Sequence, residues 1–276
     1  MSKKIGIHIR PAATFTETIQ QAVTLNVPLF QTFAMTLSGK YIKITPEDQT
    51  SYLELRHKYF QDLYLHGSYW INLCRDNQIN LKTTQRELNI AKQLEFTHLV
   101  VHPGSAAEGH TKSMGINILA SSLNQILNEN HMIKIVLENT AHGNLTIGSD
   151  LSDFYELLQQ IEQPNKLLFC IDTSHAYAHG YNLHDLAEQI KFINLIDSAI
   201  GFEKVCLIHL NDTNETLGRK IDKHAIPGTG HIGKLALKHF LLQPQIHTIP
   251  IIIEPPLIES IAETKKILNE INSWFD

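Results

Sequence analysis

Eight short apolar runs alternate with eight longer amphipathic stretches along the whole chain. The apolar runs, read as strands, fall at 5–9, 28–33, 63–66, 98–102, 133–138, 167–172, 205–209 and 248–254. The stretches at 14–25, 47–60, 81–95, 114–130, 150–162, 183–200, 231–242 and 258–274 repeat their apolar residues at helical spacing. A strand that always hands over to a helix cannot pair as a hairpin. Each helix carries the chain back, so neighbouring strands run parallel. Eight such units in 276 residues predict one α/β domain over 1–276, a (β/α)8 TIM barrel, with an open doubly wound sheet as the alternative.

The decisive pattern is what stands at the strand ends. His66 ends LYLH, His102 ends LVVH, Glu138 ends IVLE, Asp172 ends LFCID, His209 ends VCLIH and Glu254 ends IPIIIE. In a barrel those positions face the C-terminal mouth, where active sites are built. One histidine at a strand end is an ordinary hydrogen-bonded residue, and one glutamate before Pro255–Pro256 is an ordinary loop charge. Six of eight strands ending this way is different. So many carboxylates and imidazoles on one ring need cations between them, and these are the oxygen and nitrogen donors that zinc and related ions take.

Three further candidates extend the ring. His175 lies three residues past Asp172, in the turn expected after that strand. Asp222 and His224, within RKIDKHAIPGTG, are two apart and point the same way if the loop is extended. The five imidazoles and four carboxylates exceed the need of one tetrahedral ion and suit two or three, with one carboxylate bridging.

Bulk properties bound the setting. Three cysteines, Cys74, Cys170 and Cys206, are too few and too scattered for a disulfide framework, so an intracellular, reducing compartment is expected. No apolar run approaches the roughly 18 residues of a membrane span, and the first residues show no signal-peptide pattern. A net charge of −5 argues superficially against nucleic acid. Bound cations, however, are missing from such a count.

The motifs HGSYWINL (66–73), HPGS (102–105), LENTA (137–141), IDTSHAYAHGYNL (171–183), HLNDTNETLGRKIDKHAIPGTGHIG (209–233) and IIEPP (252–256) resemble, in order, those of endonuclease IV. That family comprises the zinc-dependent apurinic/apyrimidinic (AP) endonucleases of base-excision repair. The resemblance implies three Zn²⁺ per chain. His66, His102 and Glu138 would hold one ion. Glu138, as a bridge, with Asp172, His209 and Glu254 would hold the second, and His175, Asp222 and His224 the third. Three Zn²⁺ carry +6 and would bring the chain from −5 to +1. Zinc lowers the pKa of a bound water to about 7, supplying a nucleophile at neutral pH, with Glu254 and Glu138 as catalytic carboxylates. The implied reaction is cleavage 5′ to an abasic site in double-stranded DNA, with trimming of blocked 3′ ends, by a monomer that has no membrane attachment.

Tyr69 and Trp70 match the place where the family inserts an aromatic–apolar pair at the lesion, although both could instead pack under the rim. Arg219 and Lys223 are candidate phosphate contacts, as are Arg10, Lys40, Lys43, Arg75, Lys112 and Lys220. The DNA side also departs from the family. Segment 31–42, QTFAMTLSGKYI, lacks the usual Asn and Arg, and Asn214 and Thr229 stand where Lys and Glu are common. The rival reading is a metal-dependent sugar isomerase or epimerase on the same barrel. Such enzymes look similar at Glu138, Asp172, His209 and Glu254, and even at His175, but do not need His66, His102 or the Asp222–His224 pair.

Overall fold

In the computed structural model, eight strands, β1 (Ile5–His8), β2 (Phe30–Phe33), β3 (Tyr64–His66), β4 (His98–Val101), β5 (Lys134–Glu138), β6 (Leu167–Asp172), β7 (Val205–His209) and β8 (Ile251–Ile253), close into one parallel barrel in sequence order. Residues 3–275 are described, apart from 37, 77, 130, 131 and 257–259. The predicted helix boundaries at 130 and 258 therefore lie outside the described residues.

Among the described residues, nine helices surround the strands: α1 (Phe15–Leu25), α2 (Pro46–Tyr59), α3 (Gln78–Gln93), α4 (Lys112–Glu129), α5 (Ser152–Leu158), α6 (Thr173–His179), α7 (Leu186–Ala199), α8 (Lys234–Leu241) and α9 (Ile261–Asn272). Local chemistry sets several of their starts. Thr14 and Glu17 form a reciprocal capping box on α1, Thr45 caps α2 ahead of Pro46, and Asp185 and Ser260 cap α7 and α9. α6 departs from the sequence reading. It starts directly after β6, so His175 sits in a first helical turn rather than a loop.

Strand alternation sorts the side chains into two cores. One set packs between strands and helices. The other, Leu29, Tyr64, Val100, Val136, Cys170, Leu207 and Ile252, fills the barrel and forms a dry floor. Gly6 belongs to that interior for a steric reason: a Cβ there would sit 2.3 Å from the Leu29 carbonyl oxygen. Two residues further along the inward face of each strand come the ring positions, so the floor lies beneath them.

His98 is at the closed end, its ring stacked on Tyr64 at 4.5 Å. Burial lowers its pKa to about 4 from the ordinary 6.5. The unfolded chain therefore takes up this proton at higher pH than the folded one. Stability owed to the neutral ring is complete above pH 6.5 and is lost between 6.5 and 4. Over that window His98→Phe should remove about 3 kcal/mol of acid sensitivity relative to wild type. Urea unfolding of both proteins at pH 7 and pH 4.5 measures it; parallel pH slopes would contradict it.

Candidate metal centre

At the C-terminal mouth of the barrel, strand ends and two loops surround a cavity of about 870 Å³, lined by His8, His66, His102, His175, His224 and Glu254 among others. Glu138 lies at its base, fully buried. Its Oε2 is 3.2 Å from both His66 Nε2 and His102 Nε2. Its Oε1 is 2.9 Å from His209 Nδ1 and 3.3 Å from His175 Nδ1. Glu254 Oε2 lies 3.3 Å from His209 Nδ1. Across the cavity Asp222 Oδ1 is 3.1 Å from His175 Nε2 and 3.3 Å from His224 Nε2. All nine ligand-type side chains read from the sequence thus stand around one space.

Eight of them fall into overlapping groups whose donor atoms lie within 4.8 Å of one another: His66, His102 and Glu138; Glu138, Asp172, His209 and Glu254; Asp172, His175 and His224, the last with Asp172 where the sequence reading had Asp222. Asp172 joins two of them because its Oδ2 stands between His224 and His209. Oδ1 accepts the His175 backbone N–H at 2.7 Å, capping α6, while Oδ2 lies 3.7 Å from His224 Nε2 and 4.0 Å from His209 Nδ1. Asp172 and His175 therefore share one donor group with His224, and only Asp172 also belongs to the group of Glu138, His209 and Glu254.

The hydrogen bonds settle which nitrogens face inward. A carbonyl oxygen only accepts, so the Nδ1 atoms of His66, His175 and His224 carry their protons toward the carbonyls of Gly67, Asn139 and Glu254. Neutral rings then present bare Nε2 atoms to the cavity. His175 Nε2 and His224 Nε2 face each other at 3.4 Å, and both face the Asp222 carboxylate. His66 Nε2 likewise meets a carboxylate oxygen. Lone pairs opposed at these distances repel unless a cation lies between them. Two donors about 2.0–2.1 Å from a tetrahedral zinc are themselves about 3.4 Å apart, which is the spacing found here. The donor set fits a metal.

Charge leads to the same conclusion. Burial works against ionising Glu138 and Glu254, yet the imidazoles around them hold both carboxyls well below the ordinary range. Asp222 is lowered too, by His175 and His224 against its own desolvation. Conversely, burial disfavours a charged ring at His175 and His209, but the neighbouring acids raise both well above the usual histidine value. Without metal, protons take the places that cations would hold.

Five residues that the strand-end reading passed over complete the site. His8 on β1 and Gln31 on β2 face the cavity side of the barrel, so every strand contributes to the mouth. Asn139 braces Asp172, its Oδ1 accepting the Asp172 N–H at 2.6 Å. Asn211 donates to Asp172 Oδ2 at 2.6 Å and to Glu254 Oε2 at 3.1 Å. Asp212 organises the long loop that carries Asp222 and His224. Its buried carboxylate accepts the backbone N–H groups of Thr213, Gly228, Gly230, Ile232 and Gly233 at 2.8–3.1 Å. Alternation could have signalled His8 and Gln31. Nothing local marks Asp212.

Tyr69 and Trp70 are 72% and 76% exposed at the rim rather than packed beneath it. Tyr69 lies against Phe33, with ring centroids 5.3 Å apart. Arg219 and Lys223 are exposed on the loop beside Asp222, and Lys223 also pairs with Glu215 at 3.7 Å. Lys112 is engaged with Asp153 at 2.7 Å.

The description "xylose isomerase-like TIM barrel" belongs to the family profile that matches residues 19–274. A probable endonuclease 4 from Thermosipho melanesiensis is 30% identical over 92% of this chain and 92% of its own length. Apurinic-apyrimidinic endonuclease 1 of Saccharomyces cerevisiae is 28% identical over 92% of this chain and 71% of its own. The crystal structure of endonuclease IV from Thermus thermophilus superposes with a TM-score of 0.84 at 25% identity, covering 99% of this chain and 98% of that one.

Proposed function

The chain belongs to the endonuclease IV family, and we propose that it hydrolyses the DNA phosphodiester 5′ to an abasic site. The products are a 3′-hydroxyl and a 5′-deoxyribose phosphate, and blocked 3′ ends are trimmed at the same site. The observation that carries this reading is the convergence of His66, His102 and the Asp222–His224 pair on the same cavity as Glu138 and Glu254. A sugar isomerase on this barrel has no use for the first four.

Three Zn²⁺, in the grouping read from the sequence, would supply a water that ionises near neutral pH and the positive charge that a phosphate and its leaving oxygen need. The chain's own residues do the rest. Glu254, held between Asn211 and Gln31, is placed to orient the attacking water and take its proton. Glu138, which belongs to two of the donor groups, would be the carboxylate shared between two ions. Because all nine side chains come from one chain, a monomer is sufficient. Among the described residues no helix is long and apolar enough to cross a membrane, and a chromosomal substrate implies an intracellular setting.

Duplex DNA docks over the mouth, with Tyr69 and Trp70 as the wedge at the lesion and Arg219 and Lys223 on phosphates. Stacking on an aromatic is worth roughly 1–3 kcal/mol per base, so Tyr69→Ala/Trp70→Ala should bind an abasic duplex about 10–100-fold more weakly. The test is incision of a duplex with one abasic site beside an intact duplex, with binding of the wedge variant measured by anisotropy. Equal cutting of both duplexes, or of neither, would sink the proposal.

A further inference from the structure

Gln31 has every polar atom of its amide engaged inside the barrel, although its side chain is fully buried and carries no charge. Nε2 donates to Glu254 Oε1 at 2.7 Å and to His8 Nδ1 at 2.9 Å, while Oε1 lies 3.0 Å from His209 Nε2. The orientation of the amide is forced. Turned over, it would set an oxygen 2.7 Å from a carboxylate oxygen, acceptor against acceptor. With Nε2 toward Glu254, Oε1 must face His209. His209 Nε2 is then the nitrogen that bears the hydrogen.

That tautomer has a consequence for the metal group. With metal bound, it makes Nδ1 the ligating nitrogen of His209, 2.9 Å from Glu138 Oε1 and 3.3 Å from Glu254 Oε2. The alternative tautomer, with hydrogen on Nδ1, would instead donate to Glu138 and close the site with an internal hydrogen bond. A metal would have to break that bond before binding. The same amide fixes one oxygen of Glu254, while Asn211 fixes the other. A carboxylate clamped on both oxygens cannot swing out of the cavity.

We infer that Gln31 is a positioning residue for the metal-dependent reaction: its single amide selects the ligating tautomer of His209 and aims Glu254. The inference rests on the metal-nuclease reading above. It gives the start of segment 31–42 a task on the metal side, whereas the sequence pointed to that segment only for its missing DNA contacts.

The test compares wild type with Gln31→Leu, using zinc as the probe. Partners that orient metal ligands typically contribute 10–100-fold to affinity or activity. Gln31→Leu should release one zinc per chain to a chelator at least about 10-fold faster than wild type. Its kcat on an abasic duplex should fall about 10–100-fold, with KM within about twofold. In the zinc-loaded proteins, nitrogen–proton NMR should show the His209 Nε2–H exchanging with solvent faster in the variant, where it has lost its acceptor. Should Gln31→Leu not fold, judged by melting of the metal-free protein, Gln31→Met follows the glutamine's path and carries the same measurements. Zinc release at the wild-type rate, or a loss confined to KM, would overturn the inference. Failure of the wild type to incise would count against the nuclease reading alone, because zinc release and the Nε2–H exchange still decide the role of Gln31.

Discussion

Replacing Glu138 with glutamine is expected to lower incision of an abasic duplex on the order of 10⁴-fold or more, because it removes the carboxylate shared by two metal groups and with it the ionised water. Glu138 has no solvent to fall back on. Its oxygens face four imidazoles, His66, His102, His175 and His209, at 2.9–3.3 Å. An amide keeps the shape but neutralises the charge, and its N–H₂ group cannot share a cation with the ring nitrogens it faces. The bound-metal count should fall by more than one per chain, since both groups lose a ligand. Measuring zinc per chain together with single-turnover incision checks both halves. Full zinc occupancy with near-normal incision would exclude the bridging role.

Glu254→Gln isolates a different contribution. Asn211 can still donate to the remaining oxygen, while the new N–H₂ group faces the Gln31 amide donor, so the clamp is kept on one side only. What disappears is the proton acceptor. In the native chain His209 and His8 hold the Glu254 carboxyl well below its ordinary range in spite of burial, so it is ionised at neutral pH. General-base contributions are typically 10²–10⁴-fold, and a loss in kcat of about that size is expected with KM for DNA unchanged. If kcat falls only in proportion to lost zinc, Glu254 is a ligand and not a base.

Much of this site is legible in the chain because the barrel translates sequence into geometry. Six apolar runs end in His, Asp or Glu, and the fold brings such ends to one mouth. Asp222 and His224 needed only their two-residue spacing to be seen as a pair, and both reach His175. The missed residues have physical reasons. His8 lies inside an apolar run read as continuous from 5 to 9, and Gln31 inside another; in both, the inward parity was hidden by the neighbouring isoleucines and phenylalanines. α6 has seven residues, fewer than three helical turns, so its periodicity is too short to show. Asp212 works by capturing N–H groups up to twenty-one residues away, a long-range arrangement with no local signature.

The central claim is that metal held by these nine side chains makes the chain a nuclease for abasic DNA. The most direct measurement is zinc content and incision of one abasic duplex before chelation, after it, and after zinc is returned. The account predicts three zinc ions per chain, cleavage 5′ to the lesion, loss of both on chelation, and recovery of both with zinc. Incision that survives complete removal of metal would contradict it, as would a fully zinc-loaded protein that leaves the abasic duplex intact.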